Sequence, residues 1–108
     1  MSQYNLDIYQ KGSGRKCQNG NTATVHYVGK LLDGTVFDSS RQRNQPFNFN
    51  VGSGQVIKGW DKAVNGLNIG DRCKVTLPPD LAYGPSGAGG IIPPNATLIF
   101  DIELLHLN

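Results

Sequence analysis

The stretch Gln55-Val56-Ile57-Lys58-Gly59-Trp60, read with the residues that follow it, decides the fold. Ile57, Trp60, Ala63, Val64 and Leu67 recur at i, i+3, i+6, i+7 and i+10, a spacing that lays one apolar stripe along an α-helix. Lys58, Asp61, Lys62 and Asn65 fall on the other side, and Gly66 is placed to stop the helix in a left-handed cap. No other segment carries a helical period, so a single helix is expected, with the only tryptophan on its buried face. Trp60 is open to two readings at this point: a space-filling core residue or the floor of a site.

On either side of this stretch the period changes from helical to alternating. Tyr4, Leu6 and Ile8 alternate with polar residues, as a half-buried strand does. Residues 11–21 are polar and Gly-rich, a loop. From Thr22 to Leu32, Val25, Tyr27 and Leu31 take one face and Thr24, His26 and Lys30 the other. Asp33-Gly34 is a tight-turn signal that brings residues 35–39 back as a hairpin. A polar excursion at 41–45 leads to a strand with Phe47, Phe49 and Val51 on one face, Pro46 being confined to its start. Gly52-Ser53-Gly54 gives a flexible approach to the helix. Beyond the helix, Cys73, Val75 and Leu77 alternate up to Pro78-Pro79, and residues 80–96 read as a long Gly- and Pro-rich loop of the kind that is more often functional than idle. Leu98, Phe100, Ile102 and Leu104 form the last and most apolar strand, expected at the centre of the sheet. The order argues for an α+β fold in one domain, residues 1–108: an antiparallel β-sheet of about five strands curled around one short α-helix.

The chain has 108 residues, 38% hydrophobic and 17% charged, with a net charge of +2. That is enough for one core and matches a globular domain rather than a disordered one. Arg41 and Arg43 are the densest basic spot and make no extended basic face, so no nucleic acid and no membrane surface is expected as a partner. The polar start Met1-Ser2-Gln3-Tyr4-Asn5 has no signal-peptide character, and no run approaches the roughly 18 apolar residues of a membrane span. Cys17 and Cys73 have no metal-ligand spacing, and free thiols in a cytoplasmic, reducing setting are the expectation.

Candidate chemistry is sparse. His26 and His106 sit on strand-type segments and read as surface histidines. Gly84-Pro85-Ser86-Gly87-Ala88-Gly89-Gly90 lacks the ending of a phosphate cradle and opens no helix. The carboxylates are dispersed. What remains is aromatic: Tyr27, Phe37, Phe47, Trp60, Tyr83 and Phe100 come from six segments, and the alternation turns Tyr27, Phe47 and Phe100 to the face on which Trp60 would pack. Asp38 stands beside Phe37, and a carboxylate next to a core-type aromatic either starts a turn with Ser39 and Ser40 or is poised in a site. Together they suggest a concave aromatic pocket with a few polar groups at its rim.

These residues carry a resemblance. Val25-His26-Tyr27, residues 34–40, Arg43-Asn44-Gln45-Pro46-Phe47, residues 54–60, Ala82-Tyr83-Gly84 and residues 91–101 resemble, in order, the motifs of the FKBP family. Its members are small peptidyl-prolyl isomerases that bind macrolides such as tacrolimus and rapamycin, and the resemblance runs from about Gly20 to Leu107. It implies Trp60 as pocket floor and Tyr27, Phe37, Phe47 and Phe100 as walls. It implies Val56 and Ile57 at the rim, the Ile57 N–H donating to a ligand carbonyl and the Gln55 carbonyl accepting. Tyr83 would donate its hydroxyl, Asp38 would accept from a drug hydroxyl while held by Arg43, and Ile92 would close the loop side. No cofactor or metal is implied. The implied partners are X-Pro peptides and proteins, tacrolimus and rapamycin, with drug-dependent protein partners, and the chain looks like the minimal, monomeric member.

Two positions depart from the pattern. Gly87-Ala88-Gly89-Gly90 stands where many members carry a bulky residue and a proline, which implies a floppier lid. Gln55 replaces the glutamate of some relatives in a role that runs through the backbone. The competing class is a non-catalytic module docking proline-bearing partners through the same residues; a chaperone would need an apolar insert or a second domain.

Overall fold

A computed structural model describes residues 3–108; Met1 and Ser2, the first of the polar N-terminal residues, lie outside it. The strands are β1 (Asn5–Gln10), β2 (Thr22–Leu31), β3 (Val36–Ser39), β4 (Phe47–Asn50), β5 (Arg72–Leu77) and β6 (Leu98–Leu107), with one helix, α1 (Lys58–Val64), between β4 and β5. All pairings are antiparallel, in the order β1-β5-β6-β2-β3, with β4 also on β2. The sheet thus has six strands where about five were expected, and β6 is central as its apolar run required.

The inner face follows the alternation. Val25 and Tyr27 of β2, Val75 and Leu77 of β5, and Phe100 and Ile102 of β6 are all buried, and α1 closes over them with Gly59, Trp60, Ala63 and Val64. Burying each large apolar side chain contributes roughly 1.5–3 kcal/mol. On the outer face Arg41 pairs with Glu103 at 2.5 Å and Arg72 with Asp101 at 3.3 Å, contacts open enough to solvent to add little.

The helix is shorter than its stripe. It ends at Val64, Gly66 takes the expected left-handed φ of +101°, and Leu67 reaches the core from the following turn. Residues 80–96 are not structureless: 3₁₀ turns occupy Pro79–Leu81 and Gly84–Ser86, and Ala88 and Ile92 exchange backbone hydrogen bonds of 2.9 and 3.0 Å. Gly87, Gly89 and Gly90 all adopt positive φ to make that turn. Cys17 and Cys73 are free and buried, and burial pushes the Cys73 thiol up to about 12. Among the described residues no helix is long and apolar enough to cross a membrane.

Candidate functional site

β2 has one long partner, β6, and two short ones: Thr22–Val25 pairs with β4, and Val28–Lys30 with β3. Tyr27 falls between the two short partners, where the sheet opens, and a cavity of about 420 Å³ lies there against the N-terminal end of α1. Trp60 forms its floor and is only 4% exposed. The indole meets Tyr27, Phe47 and Phe100 edge-on at ring-centroid distances of 4.8, 5.9 and 5.4 Å, geometries in which aromatic quadrupoles attract. Phe37 completes the wall, edge-on to Phe100 at 5.6 Å. Phe49, not singled out from sequence, backs Trp60 at 5.7 Å from inside the core.

Phe37 and Asp38 both line the cavity although neighbours on a strand point to opposite faces. The cause is a β-bulge. Gly29 faces Asp38 and Lys30 faces Val36, so Phe37 has no cross-strand partner and is the extra residue. A bulge re-aims a side chain in this way, and here it turns an aromatic and a carboxylate to the same side.

Asp38 is poised by neighbours rather than starting a turn. Tyr27 Oη donates to Asp38 Oδ2 at 2.6 Å, Arg43 Nη1 forms a short ion pair with Oδ1, and Arg43 Nη2 donates to Tyr27 Oη at 3.0 Å. Burial pushes the Asp38 carboxyl up, but the hydrogen bonds from Tyr27 and Arg43 and the Arg43 charge outweigh it and hold the group below the usual carboxylate range. Burial and the bond to Asp38 push the Tyr27 phenol up, so it stays a donor near neutral pH.

The rim comes from the β4–α1 connection. Val56 and Ile57 line the cavity together with Gly54 and Gln55. Ile57 is the helix N-cap and its carbonyl accepts from Trp60 N at 2.9 Å, while its own N–H precedes the helical ladder. Asp61 fastens the connection from within the helix, accepting from Gly52 N at 2.9 Å and Gly54 N at 3.1 Å. The Gln55 side chain folds back to accept from Asn50 N at 2.9 Å. Tyr83, 40% exposed, stands at the mouth from the start of the second 3₁₀ turn.

Ten of the twelve expected site residues line one cavity. Arg43 does not line it and acts on it through Asp38 and Tyr27. Ile92 is drawn into the core by its bridge to Ala88 and is 7% exposed, not part of the lining. Gly54 lines it too, a position at which a glycine carries no side-chain signal in the sequence. His106 is exposed, but His26 is half-buried and its Nδ1 lies 2.8 Å from Ser40 Oγ, which in turn accepts from Tyr27 N at 2.7 Å. Among the described residues no three His, Cys, Asp or Glu side chains gather to hold a metal.

The model of the FKBP-type peptidyl-prolyl cis-trans isomerase family matches residues 13–105 of this chain. FK506-binding protein 1 of Dictyostelium discoideum is 54% identical over 100 residues, spanning 93% of this chain and 94% of that protein. Peptidyl-prolyl cis-trans isomerase Fkbp12 of Drosophila melanogaster is 58% identical over 90 residues, 83% of each. Among solved structures, the crystal structure of AtFKBP13 superposes with a TM-score of 0.90 at 38% identity, covering 97% of this chain and 93% of that one.

Proposed function

The chain belongs to the FKBP-type peptidyl-prolyl cis-trans isomerases and is itself such an isomerase; on that premise we propose that the aromatic cavity over Trp60 is where X-Pro bonds turn. The observation that carries this reading is the chemical character of the cavity. It is walled by aromatic rings, and its one carboxylate is already engaged by Tyr27 and Arg43.

Turning an X-Pro bond breaks amide resonance. The barrier for a peptide bond is about 18–20 kcal/mol, and uncatalysed X-Pro turnover takes tens to hundreds of seconds. In the twisted transition state the carbonyl and nitrogen lose resonance and the group becomes less polar. A dry aromatic wall therefore favours the twisted state over the planar, hydrated amide. The proline ring sits on Trp60 between Tyr27, Phe37, Phe47 and Phe100. The Ile57 N–H and the Tyr83 hydroxyl donate to carbonyls of the peptide, the Gln55 carbonyl accepts, and Val56 packs at the rim. The ring is held while the preceding carbonyl swings. No step moves a proton, so Asp38 serves as a fixed charge that keeps Tyr27 and Arg43 in place.

The same cavity takes tacrolimus- and rapamycin-type macrolides in this reading, with Asp38 accepting from a drug hydroxyl. Its support is the name FK506-binding protein carried by relatives such as that of Dictyostelium. A drug-bound surface that includes exposed Phe47 and Tyr83 would offer a partner protein a new apolar face. The chain works as a monomer in the cytoplasm in this reading, where its two buried thiols stay reduced. A protease-coupled assay on short X-Pro peptides, with Trp60→Ala beside wild type and folding checked by circular dichroism, tests the site. Wild-type turnover that a folded Trp60→Ala variant retains in full would move the reaction elsewhere.

A further inference from the structure

Phe37 and Phe100 form a wall only because Gly29, the β2 residue beneath them, has no side chain. Gly29 is buried on the inner face of β2, opposite Asp38 on one side and Phe100 on the other. A Cβ added there would stand 2.6 Å from Phe37 Cζ, 2.8 Å from Phe100 Cε1 and 3.0 Å from Phe37 Cε1. Its φ lies outside the left-handed region, so an alanine suits the backbone and meets only the rings. To regain an ordinary 3.4 Å contact the rings would have to move by about 0.6–0.8 Å. Phe100 is already held by Trp60 at 5.4 Å and Tyr27 at 6.3 Å, so the open direction is the cavity that both rings line and Gly29 does not.

We propose that Gly29 is a positioning and specificity-determining residue, its missing side chain setting how far the Phe37 and Phe100 rings project into the cavity and so how large a cyclic residue enters. This rests on the reading of that cavity as the prolyl site. The substrate class it discriminates is the ring size of the cyclic imino acid. A five-membered ring is admitted with room to spare, and its six-membered homologue only while residue 29 is bare.

The test titrates wild type and Gly29→Ala with an N-acyl prolyl amide and its six-membered-ring homologue, following binding by NMR. One methylene in an apolar pocket is worth about 10–200-fold in discrimination, so Gly29→Ala should shift the affinity ratio toward the five-membered ring by about tenfold or more. The same methyl placed in a Phe37→Leu background, where Cζ and Cε1 of that ring are gone and only Phe100 Cε1 still meets it, should shift that ratio by clearly less than it does in wild type. Equal loss for both probes, no shift, or the same shift in both backgrounds overturns the proposal. If Gly29→Ala does not fold, a Gly29→Ala/Phe37→Leu double variant that regains stability over Gly29→Ala supports the clash, and one that regains none overturns it. Wild type that turns over X-Pro peptides yet binds neither probe in this cavity defeats the reading of the site itself, and the proposal with it.

Discussion

Gly59 turns its bare Cα onto Leu77 of β5: a Cβ there would lie 2.3 Å from Leu77 Cδ2 and 2.5 Å from Cδ1. The contact lets α1 sit low enough on the sheet for Trp60 to reach the cavity floor. Helix propensity alone would make Gly59→Ala stabilising by about 1 kcal/mol. Overpacking a filled core costs roughly 1–3 kcal/mol, and Leu77 is fully buried with nowhere to go. Gly59→Ala should therefore lower the urea midpoint, and adding Leu77→Ala to it should cost less than Leu77→Ala does in wild type. A gain in stability on Gly59→Ala would show that the helix is not pressed against β5.

Trp60 gives the cavity a built-in reporter. Its indole lines the cavity and its Nε1 is buried without a hydrogen-bond partner among the described residues. Rapamycin or a prolyl ligand that occupies the cavity should change its emission, and as the only tryptophan it leaves the signal one origin. Unchanged emission at saturation, with binding established by calorimetry, would place the ligand elsewhere.

For Asp38 the loss of affinity should exceed the loss of stability. Its ion pair with Arg43 is open to solvent, with side chains 40% and 48% exposed, so Asp38→Asn should cost under about 1 kcal/mol of stability. A lost hydrogen bond from a drug hydroxyl to the carboxylate should cost roughly 1.5–3 kcal/mol of macrolide affinity, read by calorimetry. The folded carboxyl titrates below its ordinary value of 3.8. Its stabilisation is therefore fully present above that value and is lost as pH falls through the lower, folded one. The melting difference between wild type and Asp38→Asn should accordingly be level above about pH 5 and shrink below pH 4. A difference that grows on acidification would reverse the sign of the pairing.

Catalysis without proton transfer leaves a pH signature. Acid–base catalysis prints its pKa values on the rate as a bell. Asp38 stays charged and Tyr27 protonated from about pH 6 to 9, so kcat/KM on a neutral peptide should be nearly flat there. His106→Gln, at an exposed strand position, should leave the rate within a factor of about two. His26→Gln removes a contact to Ser40, which holds the Tyr27 backbone, and should change the level of the profile but not its shape. An inflection near neutral pH that disappears in either variant would put a histidine in the mechanism.

Much of this architecture was legible in the sequence because strand and helix periods survive wherever pairing is regular. The alternation in β2, β5 and β6 and the stripe through Trp60 placed the core and most of the cavity wall. What escaped it was irregular. Bulges at Phe37, Tyr9 and Leu105 each skip one residue, and the last lets Leu107 turn inward after Leu104, carrying β6 beyond the alternating run. Such skips are set by the partner strand and leave no trace in local period. The resemblance supplied Arg43 and Ile92, of which Arg43 sits behind the wall and Ile92 in the core. The 3₁₀ turns of residues 79–86 carry too few residues to show a period at all.

β6 lies at the centre of the sheet, and it is also the last of the six strands along the chain. As the protein is synthesised, β2 and β5 leave the ribosome with no strand to join them. Ala23 then waits for Leu107, a pairing that spans most of the sequence. Sheet and cavity therefore close together, late, and at the full entropic cost of long loops. Phe100 arrives on the same strand, so a nascent chain holds no partly working isomerase. Only when that strand docks does the chain have both a complete sheet and a complete cavity wall.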